Sequence, residues 1–295
     1  MNKEYEIVII GAGPAGVSAG IYALRAGMKP LIIDSGKSTL KKAKKIQNYY
    51  GFESVSGEEL IKKGVNQFKK LGGNVMQAEV LKIVKNYETN LFTIKTAINE
   101  FVTKVVILAM GSPEKKRIEG LEGCENVSYC AICDGFFYKN KTIAVIGEGD
   151  FALSECEELE KIASKIYLFT NGKKITKQLP NKVIVKEQNI AEYVGGQLIN
   201  GIILEGGEKI NVDGVFVAQG NLSALELAKQ LGVLEQNNFI VVDKQFMTNV
   251  AGVFAAGDMI GGLLQVCKAV SDGSQAGLEA VRYLKIMEYN LNNKA

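Results

Sequence analysis

The sequence predicts an α/β protein of two Rossmann-like three-layer domains, the second inserted into the first. Three observations predict it. A glycine-turn motif occurs twice and aligns without a gap, as IVIIGAGPAGVSAG at residues 7–20 and IAVIGEGDFALSEC at 143–156. A further buried strand ending in a glycine turn, GVFAAGD, follows much later at 252–258. The chain's 295 residues suffice for two domains of ordinary size. The expected order is half of one domain (1–113), a whole inserted domain (114–238) and the rest of the first (239–295).

Each element follows from local pattern. Both motif copies are a β-branched run, a Gly-x-Gly turn and a helix-like stretch, the opening of a βαβ nucleotide-binding unit. In the first, Gly11 permits the tight turn, Gly13 admits close approach of a pyrophosphate, and Gly16 lets helix pack on strand. An acid at the end of the next strand should hold a ribose hydroxyl, and Asp34 stands there, 23 residues after Gly11. A lysine-rich loop, GKSTLKKAKKIQNYYGF, leads to a helix pattern at GEELIKKGVNQFKKLGG. Strand alternations follow at NVMQAEVLKIV, NLFTIKTA and FVTKVVILAMG. The polar stretch SPEKKRIEGLEGCEN reads as the passage into the second domain. A smaller βαβ unit runs from Lys141 to about Gln236, and an amphipathic helix from about Leu264 to Met287 precedes a frayed EYNLNNKA.

The second motif copy has kept its fold and lost its chemistry. Counting 23 residues from Gly147 reaches Thr170, so the ribose acid is missing. Glu148 sits between the turn glycines, where its charge opposes a pyrophosphate. No arginine follows the strand to take a 2′-phosphate, only Lys173 and Lys174.

Composition removes several classes of function. The 35 Lys and Arg against 32 Asp and Glu leave a charge of +3, too weak a bias for nucleic acid or a membrane surface. No apolar stretch approaches the length of a bilayer span, so a soluble, cytoplasmic protein is expected. Five cysteines, Cys124, Cys130, Cys133, Cys156 and Cys267, are too few and odd in number for a secreted disulfide scaffold.

Cys130 and Cys133 form a CxxC with Asp134 directly after, in a chain without histidine. A structural zinc needs four ligands, and nothing at metal spacing accompanies the pair, so no metal is expected. Inert buried cysteines are the plainer alternative. A redox pair needs a group that takes and returns a proton, a post histidine usually fills, and Asp134 is the available acid.

The ordered set IIGAGPAG, IQNYYGF, ILAMGS, CAICDGFFY, VDGVFVAQG and GVFAAGD resembles the low-molecular-weight thioredoxin reductases, with the CAICDGFF box its most specific signal. The resemblance covers most of the chain and implies the FAD/NAD(P)-linked disulfide reductase fold and a cytoplasmic homodimer. It implies FAD contacts at Gly11, Gly13, Pro14, Ala15, Asp34, Ser35, Thr39, Asn48, Val80, Met110, Gly111, Gly257, Asp258, Gln265 and Val266. It implies that the flavin reduces a Cys130–Cys133 disulfide, with Cys133 facing the flavin, Cys130 attacking thioredoxin, and Asp134 carrying the proton. Domain rotation between two poses is likewise implied by the family.

The chain departs from the family at three places. Lys37, Ser38 and Thr39 replace Gly-Gly-Gln, Leu264 replaces an arginine, and GEGDFA with Thr170, Asn171 and Gly172 replaces the nicotinamide-holding residues. Among members with an eroded nicotinamide site it is most similar to the ferredoxin-dependent flavin thioredoxin reductases of clostridia. An acidic ferredoxin would meet Lys37, Lys41, Lys42, Lys44 and Lys45 in the loop expected near the flavin. The rival readings are an NAD(P)H-dependent thioredoxin or peroxiredoxin reductase, and a flavoprotein redox sensor without turnover.

Overall fold

The computed structural model describes residues 3–111, 118–219 and 224–293. The chain divides into two compact units, Met1–Pro113 with Leu227–Ala295, and Glu114–Glu226.

The first unit opens with β1 (Lys3–Ile10), α1 (Pro14–Arg25), β2 (Pro30–Asp34), α2 (Gly57–Lys70), β3 (Asn74–Gln77), β4 (Val80–Asn86), β5 (Leu91–Thr96) and β6 (Glu100–Leu108). The single strand expected over NVMQAEVLKIV is two, broken where the Ala78 N–H donates to the Asp34 carbonyl. Runs of Ile and Val make β1 and β2 the buried centre, with Ile7, Val8, Ile9 and Ile32 wholly inaccessible. The Ser56 hydroxyl caps α2 by accepting the Glu59 N–H at 3.2 Å.

The second unit contains β7 (Val127–Ser128), a one-turn α3 (Ala131–Asp134), β8 (Thr142–Gly147), α4 (Gly149–Glu160), β9 (Lys165–Phe169), β10 (Val183–Lys186), β11 (Ile190–Gly195), β12 (Ile199–Leu204), β13 (Lys209–Asn211) and β14 (Gly214–Ala218). Its five-stranded sheet, in order β10-β9-β8-β14-β7, is parallel throughout, and β11-β12-β13 form an antiparallel sheet. Leu121, Ile146, Ile202, Leu204 and Val217 share one core between the two sheets.

The chain leaves this unit through α5 (Ala224–Gln230), followed by a hairpin of β15 (Glu235–Gln236) and β16 (Phe239–Ile240), then β17 (Val253–Ala255) and α6 (Val266–Asn292). Asn237 and Asn238, both at positive φ, make the hairpin turn. The return comes at Leu227, earlier than the expected 239, and there the Gln230 side chain accepts the Ile83 N–H and donates to the Leu81 carbonyl of β4. The other expected boundary, at 113, lies outside the described residues. Helix α6 runs on to Asn292, past the expected end at Met287.

These returning elements complete the first unit. β3-β2-β1-β6 is parallel, β17 extends it along the second half of β6, and the antiparallel β5-β4 branch from its first half. Helix α6 lies directly on α1: a Cβ at Gly273 would stand 2.0 Å from the Ala15 carbonyl oxygen, and one at Gly277 2.5 Å from that of Ala19. Among the described residues no helix is long and apolar enough to cross a membrane.

Candidate functional site

Two sites are built, one in each unit. In the first, Gly13 caps α1 without any side-chain bond to the helix amides, and Pro14 begins the helix. That leaves the α1 N-terminus open to an anion. A Cβ at Gly13 would meet nothing within 4 Å, whereas one at Gly16 would stand 1.9 Å from the Gly11 carbonyl oxygen. The Asp34 carboxylate ends β2 and is fixed from two sides, its oxygens accepting the Ala12 and Gly36 N–H groups at 3.1 Å each.

Distant parts of the chain converge on this turn. A Cβ at Gly11 would lie 3.3 Å from the Met110 Cα, which places the Met110–Gly111 turn beside it. Gly257, at positive φ, would bring a Cβ to 2.9 Å from that of Ala15, so the Gly257–Asp258 turn also borders the helix start. Asn48 donates to the Gln265 side chain at 2.8 Å across 217 residues of sequence. A cleft of about 320 Å³ is lined by Gly13, Pro14, Tyr49, Phe52 and Val266. Val80 is buried at the start of β4, and Ser35 and Thr39 are exposed in the loop after β2.

Lys268 and Asp272 hold the Asp258 turn, and sequence reasoning missed both. Lys268 pairs with Asp272 at 2.7 Å and donates to the Gly257 and Gly261 carbonyls, while Asp272 accepts the Gly257 N–H at 3.2 Å. Burial raises the Asp258 carboxyl above the usual range; Lys268 opposes the shift and Asp272 adds to it. The available signal was their four-residue spacing on the helix just after Gln265.

The second glycine turn differs in its electrostatics. Gly147 crosses β14 as Gly11 crosses β6: a Cβ would stand 2.1 Å from the Ala218 carbonyl oxygen, against 2.3 Å from that of Ala109. The backbone scaffold is therefore the same. However, Glu148 is paired with Lys173 and Asp150 with Lys177. The protein's own carboxylates stand at the start of α4, where a phosphate would seek amides and lysines.

Cys130 and Cys133 are joined in a disulfide, Cα atoms 5.3 Å apart. Cys130 is buried as the N-cap of α3, and its sulfur accepts the Cys133 N–H at 3.2 Å. Cys133 is exposed. The half-buried Asp134 accepts the Ser128 hydroxyl at 2.6 Å, and the same hydroxyl oxygen accepts the Cys130 N–H at 3.1 Å. Glu155, from α4, accepts the Ala131 N–H at 2.6 Å inside the box. Ser128 and Glu155 were not singled out in the sequence, where no spacing rule connects them to the cysteines. Phe136 and Phe137, three and four residues after Cys133, are 76% and 71% exposed, ring centroids 6.5 Å apart.

The free cysteines are scattered: Cys156 is buried, Cys124 half-buried and Cys267 exposed. Burial, reinforced by Glu155 and Glu157, pushes the Cys156 thiol far above its usual value, so it stays protonated.

Residues 5–273 match the family Pyridine nucleotide-disulphide oxidoreductase. The chain belongs to the pyridine nucleotide-disulphide oxidoreductases. Within that family it is 32% identical over 316 residues to the thioredoxin reductase of Listeria monocytogenes, covering 100% of this chain and 98% of that one. Two solved structures extend the likeness. The atypical thioredoxin reductase TRi of Desulfovibrio vulgaris Hildenborough has a TM-score of 0.82 and 33% identity, covering 95% of this chain and 98% of that one. The ferredoxin-flavin thioredoxin reductase of Clostridium acetobutylicum has a TM-score of 0.68 and 31% identity, covering 97% and 100%. The cofactor of this oxidoreductase is FAD. The first glycine turn fits it, with an uncapped helix start for the pyrophosphate and a doubly anchored acid for a ribose.

Proposed function

We propose that the protein is a homodimeric, flavin-dependent thioredoxin reductase that takes its electrons from reduced ferredoxin rather than from NADPH. The observation that carries the reading is the contrast between the two glycine turns, one open, the other filled by its own ion pairs. The ferredoxin-flavin relative supports the donor assignment, as does the lysine-rich loop after β2, where Lys41, Lys42, Lys44 and Lys45 are exposed. The outer face of α6, with Leu278, Ile286 and Tyr289 exposed, supports self-association.

In this reading the amides after Gly13 receive the FAD pyrophosphate, Asp34 a ribose hydroxyl and Asp258 a ribityl hydroxyl. Bound FAD supplies a carrier that accepts electrons from a donor and passes a pair to a disulfide. Reduction opens the Cys130–Cys133 bond to two thiols. Cys130 is buried in the oxidised box and must be uncovered to meet substrate; as a thiolate it then bonds one sulfur of the thioredoxin disulfide and expels the other as thiolate. Cys133 then attacks the Cys130 sulfur, which restores the disulfide and releases dithiol thioredoxin. In this reading Asp134, which accepts the Ser128 hydroxyl, is the group that moves protons to and from Cys133. The test is anaerobic turnover of oxidised thioredoxin by purified enzyme with a chemical reductant of the flavin. Steady turnover by the wild type, lost in Cys133→Ser, is expected; flavin reduction without thioredoxin turnover would favour the sensor reading.

A further inference from the structure

Helix α4 follows the second glycine turn and sends a carboxylate into the redox box. Glu155 is 3% exposed, and its Oε2 accepts the Ala131 N–H at 2.6 Å in a buried hydrogen bond between residues 24 apart in sequence. Ala131 is the first residue of α3 and the residue directly after Cys130. The two helices also touch where Gly135 follows α3: a Cβ there would stand 3.3 Å from Leu159 and Ile162 side chains.

The backbone donors of the box are divided among specific acceptors. The Cys130 N–H goes to Ser128, the Ala131 N–H to Glu155, the Cys133 N–H to the Cys130 sulfur and the Asp134 N–H to the Cys130 carbonyl. Only the bond to Glu155 reaches out to another helix, so it is the one that ties the cysteine turn to the sheet's helical layer. A buried carboxylate beside a cysteine also opposes thiolate formation, because like charges repel more strongly where water is excluded. Destabilising the thiolate destabilises the reduced state, which makes the dithiol a stronger reductant.

We propose that Glu155 is the positioning residue of the redox disulfide: its carboxylate fixes the Cys130–Cys133 turn through the Ala131 amide and keeps the dithiol strongly reducing. The inference rests on Cys130–Cys133 being the working disulfide, and on neither the ferredoxin nor the dimer assignment. Other ionisable groups around the box include Asp134 and Tyr138 after the cysteines, Tyr129 before them with Glu122, Cys124 and Glu226 acting on it, and Cys156 and Glu157 on α4.

The experiment equilibrates FAD-loaded enzyme with glutathione redox buffers, quenches by alkylation, and counts the Cys130 and Cys133 thiols by mass spectrometry. In each exchange one protein disulfide gains two electrons and two protons as two glutathione thiols become one glutathione disulfide. Glu155→Gln keeps an oxygen for the Ala131 N–H and removes the charge. It is expected to shift the equilibrium towards dithiol about tenfold, equal to about 30 mV for a two-electron couple. Glu155→Asp, which keeps the charge, should remain nearer the wild type. Glu155→Gln at the wild-type equilibrium, folded and yellow, would overturn the proposal. If Glu155→Gln does not fold, the Asp variant decides: a tenfold shift with its charge intact would also overturn it. Failure of the underlying reading looks different, because the wild type would then turn over thioredoxin with both cysteines alkylated.

Discussion

Replacing Asp134 by Asn separates the proton role of the redox box from its architecture. The Asp134 carboxylate accepts the Ser128 hydroxyl at 2.6 Å, and an Asn side-chain oxygen can accept the same bond, so the turn should persist. What Asn cannot do is take up and return a proton. A positioned acid–base contributes about 10²–10⁴-fold, so the rate of thioredoxin reduction by pre-reduced enzyme should fall by at least about a hundredfold, close to 3 kcal/mol. Ser128→Ala keeps the carboxylate and loses both the bond to Asp134, of about 1.5–3 kcal/mol if charge-assisted, and the acceptor of the Cys130 N–H, which bears on fold stability first. Its rate should fall less than that of Asp134→Asn. The assay is anaerobic stopped flow: reduced enzyme is mixed with oxidised thioredoxin and the return of oxidised flavin absorbance is followed. An Asp134→Asn rate within about threefold of wild type, below the smallest contribution expected of such a group, would refute the proton assignment.

Two further outcomes follow from the same structure. Burial raises the Asp258 carboxyl, so the folded apoprotein holds that proton more tightly than the unfolded chain, and stability drops as pH rises from 3.8 through the raised value. Asp258→Asn should therefore raise the melting temperature of the deflavinated protein at neutral pH while lowering flavin retention; equal melting curves across that pH range would contradict the assignment. Phe136→Ala with Phe137→Ala removes two exposed rings that follow the disulfide in sequence. The double variant should keep its melting temperature and raise the KM for thioredoxin about tenfold, roughly 1.4 kcal/mol, with kcat little changed.

Elements whose function depends on backbone shape were legible in the sequence. Gly11, Gly16 and Gly147 mark strand-to-helix crossings that no side chain could occupy, and β-branched runs ahead of them mark buried parallel strands. The return to the first unit comes at Leu227, before the expected 239, and Gln230, bonded to a strand far back in sequence, is one contact there that no local pattern announces. Glu155 stayed hidden because it acts through one hydrogen bond 24 residues away, which leaves no periodic trace, and Ser128 because its bonds to Asp134 and Cys130 follow no spacing rule, whereas Lys268 and Asp272 carried a four-residue helical spacing that was not used. The loss of ribose and phosphate residues from the second turn was readable, but the replacement ion pairs, Glu148 with Lys173 and Asp150 with Lys177, required the folded chain.

Anaerobic flavin bleaching separates the two candidate electron donors. Purified FAD-loaded protein is mixed anaerobically with reduced ferredoxin in one syringe and with micromolar NADPH in another, and the flavin absorbance is followed in both. Rapid bleaching by ferredoxin is expected, slowed by salt as the exposed lysine loop is screened, with no comparable bleaching by NADPH. Rapid bleaching by NADPH would contradict the ferredoxin assignment.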